Sequence, residues 1–95
     1  MEYLALIHTN AGTAPTSAEW DRFIEAAVET GLFRGGSAIG VRRTVGTPEV
    51  VDTSQQVGGF MRFDAEEPSE LLRLLESHPV VVRGGTVELF EMPKS

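Results

Sequence analysis

Trp20, Phe23, Ile24, Ala27 and Val28 recur at i, i+3, i+4, i+7 and i+8, while Glu19, Arg22, Glu25 and Glu29 fall opposite them. That spacing predicts an amphipathic helix with one face on a sheet. Thr16, with Glu19 three residues later, has the form of a capping box in which each side chain satisfies a free backbone N–H. Gly31 follows the last periodic residue, where a left-handed backbone ends a helix at least cost. A second helical pattern opens at Pro68. Glu66, Glu67 and Glu70 complement the positive end of its dipole, and Leu71, Leu74, Leu75 and His78 share one side. Pro79 is expected to end it.

Four extended segments frame these helices. Met1 to His8 is bulky and largely apolar and runs into the loop-forming Thr9-Asn10-Ala11-Gly12-Thr13. Gly35-Gly36 is expected to turn the chain into a second strand over Ser37 to Val45, which carries Ile39, Val41, Thr44 and Val45 and is broken by Gly46-Thr47-Pro48. Glu49 to Gln55 reads as a hairpin connection whose register the sequence leaves open. A third strand is expected from about Gln56 to Phe63, with Gly58 and Gly59 marking close backbone approach or a bulge. A fourth runs from Thr86 to Met92 after the turn at Gly84-Gly85. The order βαββαβ is the ferredoxin-like α+β arrangement, a four-stranded antiparallel sheet with both helices on one face.

Strand alternation then raises a difficulty. Val57, Gly59, Met61 and Phe63 share one side of the third strand, and Gly58, Phe60 and Arg62 the other. The fourth strand sets Val87 and Leu89 against Phe90 and Met92, and the first sets Tyr3, Ala5 and Ile7 against Leu4 and Leu6. Two helices cover one face only, so the second would expose a contiguous apolar patch that soluble monomers rarely carry. A two-fold homodimer with the two sheets enclosing a barrel-like space is the expected solution, and a monomer with an apolar ligand-binding face is the alternative.

Composition narrows the classes. The 95 residues are 41% hydrophobic and 23% charged, which suits one folded domain spanning 1–95. Fourteen acidic against eight basic side chains give a formal charge of −6, which argues against nucleic acid as a partner. There is no cysteine, so disulfides, thiolate catalysis and cysteine-based metal sites are excluded. The apolar run Tyr3 to Ile7 is too short to span a membrane and lacks the basic flank of a signal peptide, so a cytoplasmic location is expected.

The chain resembles the YCII-related family, specifically its DGPF branch, over nearly its whole length. The likeness is carried by Met1-Glu2-Tyr3-Leu4-Ala5-Leu6-Ile7, Gly35-Gly36-Ser37-Ala38-Ile39-Gly40, Val57-Gly58-Gly59-Phe60, Ser77-His78-Pro79 and Gly85-Thr86-Val87-Glu88. It implies a dimeric α+β barrel. The motif that names the branch is represented by Val51-Asp52, followed by Thr53-Ser54-Gln55-Gln56, so the hairpin is shortened and Asp52 is the residue that matches. Some relatives in the family are thought to use a His–Asp pair with the His near the first helix, and Ser17 to Thr30 contains none.

Candidate chemistry is sparse. His8 closes the first strand, and with Asp52 it forms the plausible dyad for proton transfer; the plainer reading is a strand-end histidine without a partner. Arg42 and Arg62 are expected to project from neighbouring strands to the face opposite the helices, where a guanidinium can hold a small anion and Phe60 and Phe90 can wall the pocket. The alternative for the arginines is a salt bridge, for example Arg62 with Glu88. His78 is expected to be structural, as a cation at the negative end of the second helix. No metal spacing is present and no cofactor is implied. The expectation is a homodimeric YCII-like protein that binds a small anionic or aromatic molecule and carries acid/base chemistry of a lyase, isomerase or hydrolase type. The alternative is a non-catalytic dimeric accessory or interaction module.

Overall fold

In a computed structural model describing residues 1–47 and 52–94, β1 (Glu2–His8) lies at the centre of the sheet and pairs antiparallel with both β3 (Val57–Asp64) and β4 (Val87–Met92). β2 (Phe33–Ala38) pairs with the outer side of β3, so the order is β2-β3-β1-β4, the ferredoxin-like topology expected from the chain. Three helices complete it: α1 (Ser17–Glu29), α2 (Pro68–Leu75) and the single turn α3 (Pro79–Val82).

The alternation of β1 decides where the core sits. Tyr3, Ala5 and Ile7 are buried and Leu4, Leu6 and His8 are half-buried, in strict register with the pleat. Met61 and Phe63 of β3 join the buried set, and Phe23, Ala27, Leu71, Leu75 and Val80 cover it from the helices. The capping box forms as the sequence implies. Thr16 Oγ1 accepts from the Glu19 N–H at 3.2 Å, and Glu19 Oε1 accepts from the Thr16 N–H at 3.1 Å. Gly31 closes α1 with φ 74°. Val28, assigned to the apolar stripe by spacing, is instead 59% exposed, because no element covers that end of the stripe.

The second strand lies earlier than its composition suggests. It begins at Phe33, whose ring packs on Phe63 at 5.6 Å between centroids, and its Gly35-Gly36 pair sits inside the strand and does not turn the chain into it. The register shifts between Phe33 and Gly36, with Gly35 at φ 108°. At Gly36 an added Cβ would lie 2.3 Å from the Phe60 carbonyl oxygen, so glycine is what lets the two backbones meet. Ile39 donates a last backbone hydrogen bond to Gly58 at 2.9 Å, beyond which only Val57 of β3 remains. Ile39, Val41 and Val45 are therefore exposed, and Arg42 lies in this irregular segment and not on a strand.

Two further departures have local causes. The expected hairpin contains a 3₁₀ turn, Asp52–Gln56, leading straight into β3. A register shift at Ile7/His8 then pairs His8 with Val57, which moves Val57 to the open side of the sheet, whereas alternation alone assigned it to the helix side. At the other end of the chain, Pro79 starts α3 and α2 has already ended at Leu75.

Candidate functional site

The open face of the sheet is read directly from the register. Phe60, Leu6 and Glu88 form one row across β3, β1 and β4; Arg62, Leu4 and Phe90 form the next; Asp64, Glu2 and Met92 the one beyond. None of the apolar members belongs to the core, and Phe90 is 44% exposed. His8 and Val57 pair at the top of this face.

His8 is the best-defined polar feature there. Its Nε2 lies 2.5 Å from Glu88 Oε1, and its backbone N–H donates to the Thr86 carbonyl at 3.0 Å. A carboxylate accepts, so Nε2 is the ring nitrogen placed to donate. Glu88 was absent from the candidate dyad, although β4 alternation puts it on the same side as Phe90 and the β1–β4 register puts it beside Leu6. Asp52 contributes the first backbone position of the 3₁₀ turn, and its side chain lies outside the described residues.

Val57 and Leu6, the cross-strand partners of His8 and Glu88, border a cleft of about 580 Å³ with Ile39, Gly40, Ser54 and Arg42. Arg42 donates from Nη1 to Ser54 Oγ at 2.8 Å, which ties the segment after β2 to the turn before β3. Arg62 does reach the open face, but it pairs with Glu2 at 3.4 Å and not with Glu88, since Glu88 is turned to His8. Phe60 and Phe90 share that face in adjacent rows, as their use for apolar walls requires.

His78 is not a cation at the end of α2. It caps α3, with Nδ1 accepting the Val80 N–H at 3.1 Å, and its ring stands edge-on to Trp20 and Phe23 at 4.8 and 4.6 Å. It is fully buried and Nε2 has no hydrogen-bond partner. Desolvation pushes its pKa down to about 4, so the ring is neutral at physiological pH. Its role is structural, as expected, but through packing and capping and not through charge.

Glu19 and Arg83 form the other strong ionic contact. Arg83 Nε donates to both carboxylate oxygens at 3.1 and 3.0 Å, and Arg83 Nη2 also bonds Oε1. The Arg83 hydrogen bonds, aided by the Thr16 N–H, hold the Glu19 carboxyl down to about 2. The pair joins the start of α1 to the turn before β4. Among the described residues no group of three or more His, Asp or Glu side chains is arranged to hold a metal ion, and no helix is long and apolar enough to cross a membrane.

No protein-family profile matches the chain, and no curated protein matches it. Among solved structures, the chain is similar to the 5-chloro-2-hydroxyhydroquinone dehydrochlorinase (TftG) from Burkholderia phenoliruptrix AC1100, in complex with 2,5-dihydroxybenzoquinone. The match covers 100% of this chain and 96% of that one, with a TM-score of 0.53 and 16% identity. The likeness is one of fold: a four-stranded antiparallel sheet with helices, the ferredoxin-like α+β class.

Proposed function

We propose that the protein is a YCII-like, enzyme-like dimer that binds a small anionic or aromatic molecule in the cleft between the open sheet face, the hairpin and the partner subunit. The observation that carries this reading is the His8–Glu88 pair, an imidazole oriented by a carboxylate, whose cross-strand partners Val57 and Leu6 line a cleft that holds the Arg42 guanidinium. In this reading His8 Nδ1 takes or returns a proton, Glu88 holds the tautomer and stabilises the imidazolium, and Asp52 is a second carboxylate in the turn bordering the cleft. Arg42 meets the anionic group of the ligand. Arg62 lies further down the same face, with Phe60 and Phe90 as apolar wall. The TftG dehydrochlorinase gives support of a general kind: a protein of this fold acts on a chlorinated hydroxyhydroquinone and was captured with a small quinone.

Dimerisation follows from the oily open face, with the two sheets packed towards each other and the second copy closing the cleft. Light scattering at micromolar concentration is expected to return twice the chain mass of 10.3 kDa. A thermal-shift screen of hydroxybenzoates, hydroxyquinols and small dicarboxylates is expected to yield a ligand that raises Tm. His8→Gln and Glu88→Gln should then weaken binding or turnover at least tenfold, or by more than about 1.4 kcal/mol. A stable particle of one chain mass, or a ligand bound equally by wild type and both variants, would refute the proposal. A dimer whose interface fills the cleft and takes no ligand would instead indicate the accessory module.

A further inference from the structure

The structure holds a second cavity, on the opposite side of the sheet from the cleft discussed above. It measures about 290 Å³ and lies between α1 and the β2–β3 edge, with Trp20, Ile24, Ile7, Phe33 and Met61 as its main walls. Its floor is made of unusually small residues: Gly36 and Ala38 of β2, and Gly58 and Gly59 of β3. The reason is close approach, by backbone at Gly36 and Gly59 and by the Thr9 side chain at Gly58. A Cβ at Gly36 would meet the Phe60 carbonyl at 2.3 Å, one at Gly58 would meet Thr9 Cγ2 at 2.6 Å, and one at Gly59 would meet the Ser37 carbonyl at 3.1 Å. Where β2 and β3 approach this closely only glycine fits, and the space beneath α1 stays open.

We infer that this cavity binds a neutral, single-ring aromatic molecule. No ionisable side chain lines it among the described residues, and a charged ligand would lose its hydration there with no counter-charge in return. Its size lies at the lower end of small-molecule pockets, roughly 300 Å³ upwards, and apolar cavities of about half that volume already admit benzene. Trp20 and Phe33 put two aromatic rings into its wall, and the glycines beside them leave backbone exposed to a ligand. Trp20 is held edge-on by His78 at 4.8 Å, so the wall is formed before the ligand arrives. An adjoining cavity of about 300 Å³ shares Ile7, Trp20 and Gly58 with it.

Trp20 is the only tryptophan in the chain, so the emission comes from this one indole in the cavity wall. In full-length protein excited near 295 nm, p-cresol is expected to change Trp20 emission saturably in the millimolar range or below, with benzoate at least tenfold weaker. Ala38→Leu, which places a branched side chain in the cavity, should abolish the p-cresol response, and Arg42→Ala should leave it unchanged. Ile24→Phe fills the same space from α1 and serves if circular dichroism finds Ala38→Leu misfolded. The inference is overturned if p-cresol gives no saturable response, if the response survives both filling substitutions, or if Arg42→Ala removes it. The cleft proposal is judged separately, by anionic ligands and the His8 variants.

Discussion

His78 offers a quantitative test of how the helix layer is held together. Its ring is fully buried between Trp20 and Phe23, with a folded-state pKa lowered to about 4, whereas in the unfolded chain it titrates near its ordinary value of 6.5. The folded state thus holds the ring neutral while the unfolded state binds a proton, so stability is fully present above pH 6.5 and is lost as pH falls towards 4. At pH 5 the unfolded chain gains a factor of about thirty from protonation and the folded one about 1.1, a difference of about 2 kcal/mol relative to pH 7.5. The other strongly shifted acid, Glu19, titrates near 2 when folded and loses its contribution mainly below 4.5, outside this window. Urea denaturation followed by circular dichroism, at one fixed protein concentration, measures the loss directly. His78→Asn keeps an acceptor for the Val80 N–H but removes the titrating ring; it should start less stable at pH 7.5 and show most of the pH 5 to 7.5 slope gone. A wild type equally stable at both values, or a His78→Asn slope matching wild type, would refute the assignment of a neutral buried ring.

Three further substitutions test the architecture. Gly36→Ala is expected to disrupt the β2–β3 pairing, since the new Cβ would meet a backbone carbonyl that cannot rotate away; loss of the cooperative thermal transition, or a fall in Tm far beyond that of an exposed Gly→Ala change, is the readout. Leu75→Ala removes a buried side chain of the α2 face and should cost about 2 to 5 kcal/mol in urea unfolding. Thr16→Ala removes one half of the capping box and should cost about 1 kcal/mol, with the deficit visible at neutral pH in the same assay.

Much of this protein was legible in its sequence, and the reason is periodicity. The Thr16–Glu19 cap of α1 and its Gly31 stop are local features, each satisfied within a few residues of itself, and they appear as read, as does the 3.6-residue stripe except at Val28. The two-residue alternation of β1, β3 and β4 likewise defined two faces, with one shift at the Gly58 bulge. What failed was β2. Ile39, Val41 and Val45 have strand-like composition, but a strand needs a partner, and β3 ends where they begin; glycines that look like a turn became the strand because only they permit the close approach to Phe60.

The site divides along the same line. Sequence alone could single out His8 as a strand-end imidazole and Arg42 as a cation for a small anion, though on a strand that does not reach it, and alternation could assign Phe60, Phe90 and Arg62 to one face. Which carboxylate meets His8 depended on the β1–β4 register, which brings together residues 80 apart in the chain, and that register selected Glu88. His78 makes the same point for charge: its neighbours in sequence suggested a helix-end cation, and burial against Trp20 and Phe23 made it neutral. Periodic, short-range patterns are written in the chain because their energetics are local; pairings and protonation states are decided only when distant segments exclude water from one another.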